Sequence, residues 1–70
     1  MMQLRKKLEQ EGYQVVGTLH EFDGSNDNGL WLSNEGYSNL ETDENFDKIV
    51  EAGGCFWELY DGGTMMIYEA

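Results

Sequence analysis

Residues 55–69, CFWELYDGGTMMIYE, organise the interpretation of the whole chain. Two apolar, aromatic-rich runs flank the turn sequence DGG at 61–63, a pattern that predicts a β-hairpin. Because side chains alternate along a strand, Cys55, Trp57 and Leu59 share one face of the first run. This face has no charged residue and is expected to point to the core.

The length of the turn determines which residues of the second run join that face. A two-residue turn places Thr64, Met66 and Tyr68 on the core face, and a three-residue loop would break this pairing. The opposite face then holds Phe56, Glu58, Tyr60, Met65, Ile67 and Glu69. We expect it to be an exposed aromatic patch with acidic neighbours, as in a protein-binding or dimer surface. The alternative is that loops cover it.

Hydrophobic periodicity predicts two helices and two further strands upstream of the hairpin. The helices are expected over residues 2–11 and 43–52, the second with Thr42 as its N-cap, and the strands over residues 13–22 and 30–33. The expected order is α-β-β-α-β-β. This order indicates an α+β fold in which two helices pack on one face of a four-stranded antiparallel sheet.

Charge is the most distinctive feature of the composition. Residues 1–70, expected to form one domain, carry fourteen acidic and four basic side chains, a formal net charge of −10. Residues 11–70 hold thirteen of the acids and a single base, Lys48. Such a field repels nucleic acid and anionic membranes and attracts basic surfaces. The alternative is that the charge serves only solubility.

Few residues are suited to catalysis, metal binding or membrane insertion. Cys55 and His20 are the only cysteine and histidine, and a thiol on a core face is usually inert. Residues 24–35 follow a calcium-loop pattern in part, but Gly24 at the first ligand position has no side-chain oxygen. There is no apolar run of membrane-spanning length and no signal-peptide pattern. We expect a non-enzymatic cytoplasmic protein that binds no metal, cofactor, nucleic acid or membrane directly.

Three acids of the second predicted helix form a stripe, because Asp43, Asp47 and Glu51 are spaced at four-residue intervals. Asp43 lies in the first turn, where the helix dipole favours an anion. Asp47 and Glu51 each repel the acid one turn earlier, and helix stability does not explain them. We therefore expect these two to bear function. The acids of predicted loops that could extend the same surface are Asp23, Asp27 and Glu35.

Together these features favour a protein-interaction domain. In length and charge the chain resembles small phage- or plasmid-encoded inhibitors, including anti-CRISPR and anti-restriction proteins that mimic nucleic acid. The resemblance implies docking on a basic nucleic-acid-binding protein or complex. Under this hypothesis Asp47 and Glu51 occupy a groove meant for phosphates, and Phe56, Tyr60 and Ile67 add an apolar contact. The alternative is a structural module that forms a homodimer through its hairpin face, since a domain this small is marginally stable alone.

Overall fold

The computed structural model describes residues 1–24, 28–34 and 39–70. Its helices are α1 (Met2–Gln10), α2 (Leu19–Asp23) and α3 (Glu44–Ala52), with a 3-10 turn at Leu40–Thr42. Its strands are β1 (Val15–Thr18), β2 (Gly29–Ser33), β3 (Cys55–Asp61) and β4 (Thr64–Glu69). They form an antiparallel sheet in the order β1-β2-β4-β3. The predicted α+β fold is confirmed.

The main core lies between one face of the sheet and helices α1 and α3. The apolar side of α3 presents Phe46, Ile49 and Val50 to the sheet, and α1 adds Leu4 and Leu8 at i, i+4 spacing. The buried residues that the strands contribute are Val15, Leu30, Leu32, Met65 and Ile67. Each such side chain contributes about 1.5–3 kcal/mol when fully buried. Helix α3 contacts β3 and α1 contacts β1, so the two helices cover opposite halves of the sheet.

The hairpin has the predicted two-residue turn, but a β-bulge changes the strand pairing beyond it. Asp61 pairs with Thr64 next to the turn. Leu59 pairs with Met65, so Tyr60 is an extra residue on β3. A single extra residue reverses which side chains of the two strands share a face.

The bulge places the opposite set of β4 side chains in the main core. Met65 and Ile67, predicted on the exposed face, are both fully buried. Met66 and Tyr68, predicted in the core, lie on the other face. The expectation that Ile67 belongs to an exposed binding patch is therefore wrong, because the face assignment assumed an unbroken alternation through Tyr60.

The strand predicted over residues 13–22 is also wrong in its second half. Only Val15–Thr18 is strand, and the chain then turns into the short helix α2. Thr18 is the N-cap: its hydroxyl accepts a hydrogen bond from the N–H of Glu21, and the Glu21 carboxylate accepts one from the N–H of Thr18. This capping box begins the helix. Because the carboxylate accepts hydrogen bonds from Thr18, the pKa of Glu21 is lowered.

Helix α2 packs on the face of the sheet opposite α1 and α3. Leu19 is buried there, and the ring of Phe22 lies 4.9 Å from the ring of Trp31 and 5.2 Å from that of Tyr60. Met66, the β4 partner of Trp31, is also buried on this face. The second face is therefore partly covered. Within the described ranges, no helix has the length and apolar content needed to cross a membrane.

Candidate protein-binding groove

The first acid of the predicted stripe, Asp43, is used within the fold. It is the N-cap of α3 in place of Thr42: its Oδ1 accepts a hydrogen bond from the N–H of Phe46 at 3.1 Å. Its Oδ2 accepts a hydrogen bond from the hydroxyl of Tyr13 at 2.8 Å. Burial raises the pKa of Tyr13, and the neighbouring Asp43 carboxylate adds to the rise. Asp43 therefore has a clear structural role.

Asp47 also has a structural role, which the sequence did not reveal. Its Oδ1 accepts a hydrogen bond from the indole Nε1–H of Trp57 on β3 at 2.9 Å. Trp57 packs against the main core, and a partly buried indole N–H needs an acceptor. The bond connects α3 to β3 and holds the carboxylate beside the sheet. Because Asp47 remains exposed, it can also accept hydrogen bonds from a partner.

Asp47 and Glu51 line one groove between α3 and β3, named here the acidic groove. Its lining residues are Asp47, Val50, Glu51, Cys55, Phe56 and Trp57. Its volume is about 340 Å³, close to the lower limit of the ~300–1,000 Å³ typical of small-molecule pockets. A groove of this size and openness suits a long side chain from a partner better than a cofactor.

The acidic groove combines negative charge with aromatic surface. The ion pairs described in the structure are both local to α1, Arg5 with Glu9 and Lys7 with Glu11, each at 3.8 Å. Among the described residues no cation pairs with the carboxylates of the groove. A lysine or arginine placed there can pair with them and lie against the indole of Trp57, where cation–π attraction adds about 0.5–1 kcal/mol at exposed sites.

The remaining acids predicted for the binding surface do not line this groove in the described parts of the chain. Asp23 is the last residue of α2, on the opposite face of the sheet from α3. Asp27 and Glu35 lie outside the described residues. Among the described residues, Asp47 and Glu51 are therefore the members of the predicted acidic set that line one groove with aromatic residues of the hairpin.

The exposed patch predicted on the hairpin keeps two of its four apolar members, because Met65 and Ile67 are buried. Phe56 and Tyr60 are 43% and 61% exposed, whereas Ile67 is fully buried. The ring of Phe56 stacks on that of Tyr68 with centroids 5.5 Å apart, and Tyr60 contacts Phe22. A dimer surface that uses Ile67 as an anchor is therefore not available.

Sequence reasoning missed the position of β3 at the edge of the sheet. The sheet order puts β4 in the interior and β3 last. One signal was present: Met65, Met66 and Ile67 form a continuous apolar run, as expected for a strand covered on both faces. The β3 run is interrupted by Glu58 and ends at Asp61, as an exposed edge tolerates.

The two residues considered for catalysis, Cys55 and His20, lie on different elements, β3 and α2. Cys55 is partly buried, and burial raises the pKa of its thiol, with a further contribution from the Glu69 carboxylate. His20 lies on α2, on the other face of the sheet. In residues 1–24, 28–34 and 39–70, no three His, Cys, Asp or Glu side chains are grouped closely enough to hold a metal ion. The calcium-loop pattern includes positions outside these ranges.

Comparisons with known proteins give no match: no family model, no curated protein and no solved structure matches this chain. The fold and the groove define a small acidic α+β domain with a charged groove beside an exposed sheet edge. A function can therefore be argued only from the chemistry of that surface.

Proposed function

We propose that this protein is an interaction domain that docks on a basic protein surface through the acidic groove. Its target is a nucleic-acid-binding protein or complex in the cytoplasm, whose phosphate-binding surface it occupies and blocks. The proposal rests on Asp47 and Glu51, which line the same groove. Among the described residues no cation forms an ion pair with either carboxylate.

The spacing of these acids supports mimicry of phosphates. Asp47 and Glu51 lie one turn apart, which corresponds to about 6 Å of rise along the helix axis. Proteins that bind nucleic acids position themselves mainly through contacts to closely spaced backbone phosphates. The hydrogen bond from Trp57 fixes Asp47 before binding, and a prearranged charge loses less side-chain entropy when a partner binds.

The distribution of charge supports the same function. Arg5 and Lys7 are paired with acids on or next to α1. Lys48 lines a different depression, with residues of α1. Among the described residues no ion pair involves a carboxylate of the acidic groove, and the net charge of −10 attracts a basic partner.

The test is displacement of proteins from immobilised DNA. Nuclease-treated host-cell lysate is loaded on DNA-cellulose, and bound proteins are eluted at low salt with the wild type, Glu51→Lys or Glu9→Lys. The two variants have the same net charge, and only Glu51 lines the groove. The ion pair of Glu9 with Arg5 is exposed, so its loss costs at most about 1 kcal/mol.

We expect a defined basic protein or complex to be eluted by the wild type and by Glu9→Lys, but much less by Glu51→Lys. Equal elution by Glu51→Lys and Glu9→Lys would show that net charge, and not the acidic groove, displaces the bound proteins. If neither the wild type nor a variant elutes any protein, the proposal is contradicted. If the wild type instead sediments as a dimer that Tyr60→Ala dissociates, the hairpin face is a homodimer surface, as the alternative hypothesis predicts.

A further inference from the structure

The edge of β3 adjoins the acidic groove and offers main-chain hydrogen-bonding groups. β3 is the last strand in the sheet order, and no other strand of the described chain lies beyond it. The unpaired edge of a strand is a template on which another extended segment can add. The residues exposed along β3 include Phe56, Leu59 and Tyr60.

The strand register shows which β3 residues direct their main chain to this edge. The N–H of Ala70 donates to the carbonyl of Gly54 at 3.1 Å, which makes these residues a hydrogen-bonded pair. Hydrogen-bonded and non-hydrogen-bonded pairs alternate in an antiparallel ladder. Phe56 and Glu58 therefore bond to β4. The residues whose N–H and C=O groups point away from β4 are Cys55, Trp57 and Leu59.

The pairing of β4 with β2 gives the same result independently. The N–H of Asn34 donates to the carbonyl of Gly63 at 2.9 Å, next to the pair Ser33 and Thr64. By alternation, Met65 and Ile67 bond to β2, so Met66 and Tyr68 bond to β3. These residues face Phe56 and Glu58 in the register of the hairpin.

Charge selects the kind of segment that this edge can accept. Asp47 and Glu51 lie beside it on the α3 side, and Glu58 and Asp61 lie on β3 itself. A second copy of this acidic chain would bring the same charges together, and like charges facing each other across strands are destabilising. A basic segment would neutralise them.

We infer that β3 binds an extended, basic segment of the partner protein as an additional strand of the sheet. The segment lies about 4.8 Å from β3 and bonds to the outward main chain of Trp57 and Leu59. Its side chains alternate between the two faces, and a lysine or arginine on the α3 side enters the acidic groove beside Glu51. This inference rests on the proposed function and specifies how the partner is held.

Amide hydrogen exchange tests the inference residue by residue. The probe is a labelled peptide of about nine residues, the length of a long strand, in which arginine alternates with threonine and valine. In the free protein we expect the amides of Trp57 and Leu59 to exchange quickly and those of Phe56 and Glu58 slowly. With peptide bound, exchange at Trp57 and Leu59 should slow by about tenfold or more, because these amides become hydrogen-bonded.

Two controls separate main-chain pairing from charge. The first is the same peptide with alternate amides N-methylated, which keeps every charge but cannot pair as a strand. The second compares Leu59→Pro with Leu59→Ala, because proline removes an outward N–H without removing a bond to β4. We expect the methylated peptide and Leu59→Pro each to weaken binding by about tenfold or more, and Leu59→Ala to have little effect.

The outcomes distinguish the two proposals. If the methylated peptide binds as well as the unmodified one while Glu51→Lys weakens both, the strand inference fails and the acidic groove remains a binding site. If no peptide binds, or if Leu59→Pro dissociates a dimer of the wild type, the inferred partner is wrong. If Leu59→Pro does not fold, the methylated peptide and the exchange rates of the wild type still decide the question.

Discussion

At the residue scale, the hydrogen bond from Trp57 gives the side chain of Asp47 two roles. The bond joins α3 to the edge strand and also positions the carboxylate that faces the acidic groove. A hydrogen bond to a charged group contributes about 1.5–3 kcal/mol when it is buried. Because Asp47 is exposed, its bond is expected to contribute closer to 1 kcal/mol.

A double-mutant cycle with Asp47→Ala and Trp57→Phe measures this contribution. We expect urea unfolding to give a coupling free energy of about 0.5–1.5 kcal/mol, because each single substitution removes the same bond. Glu51→Ala is the matched control, with the same loss of charge one turn along α3, and it should not couple to Trp57→Phe. Additive effects of Asp47→Ala and Trp57→Phe would contradict a stabilising bond.

Asp47 shows how much of the candidate groove could be predicted from the sequence. Helical spacing was sufficient to single out Asp47 and Glu51, because each repels the acid one turn earlier. It could not show that Trp57, ten residues further on, donates to Asp47. That contact depends on how α3 crosses the sheet, which is a tertiary property.

At the element scale, Gly29 allows β2 to pack closely against β4 and α2. A Cβ at this position would collide with the main-chain carbonyl oxygen of Ile67 and lie 2.5 Å from Cδ1 of Leu19. The first contact is with backbone inside the sheet, which cannot move without breaking the ladder between β2 and β4. Gly29 is therefore required by packing on both sides of β2.

We expect Gly29→Ala to lower the free energy of unfolding by about 3 kcal/mol or more, at the upper end of the range for overpacking. A loss of this size is a large part of the stability of a 70-residue domain. Gly62→Ala is the control, since a Cβ there would meet nothing within 4 Å. Chemical denaturation of both variants gives the comparison, and equal stabilities would show that β2 can move to accept a methyl group.

The elements also show why part of the fold could be predicted and part could not. Periodicity located the two longer helices and the hairpin, because each has a clear pattern and a local stop signal. It missed α2, because the capping box of Thr18 and Glu21 overrides an alternating strand pattern. It also reversed the faces of β4, because nothing in the sequence marks Tyr60 as a bulge.

At the scale of the whole molecule, the net charge of −10 is confined to a body of 28 × 24 × 18 Å. The Debye length is about 30 Å at 10 mM salt and about 3 Å at 1 M. At low salt each carboxylate therefore interacts with charges across the whole domain, whereas at high salt it interacts only with its neighbours. Self-repulsion of this kind destabilises the compact state.

Added salt should therefore stabilise the protein. We expect the melting temperature at pH 7 to rise by several degrees between about 10 mM and about 0.5 M NaCl, since ~1 kcal/mol corresponds to about 4–8 °C for a domain of this size. The control is the same titration at pH 4, close to the isoelectric point of 4.1, where the net charge and hence the effect of salt should nearly vanish.

The capping box of α2 contributes its own dependence on pH to that control. The pKa of Glu21 is lowered below its ordinary value of 4.5 by the hydrogen bonds from Thr18. A group of this kind contributes stability above its unfolded pKa and loses it only as the pH falls through the lower folded pKa. At pH 4 a larger fraction of folded than of unfolded Glu21 is ionised, so this contribution is lost only in part while the net charge is removed. A rise in melting temperature as large at pH 4 as at pH 7 would show that salt acts through something other than repulsion among the acids.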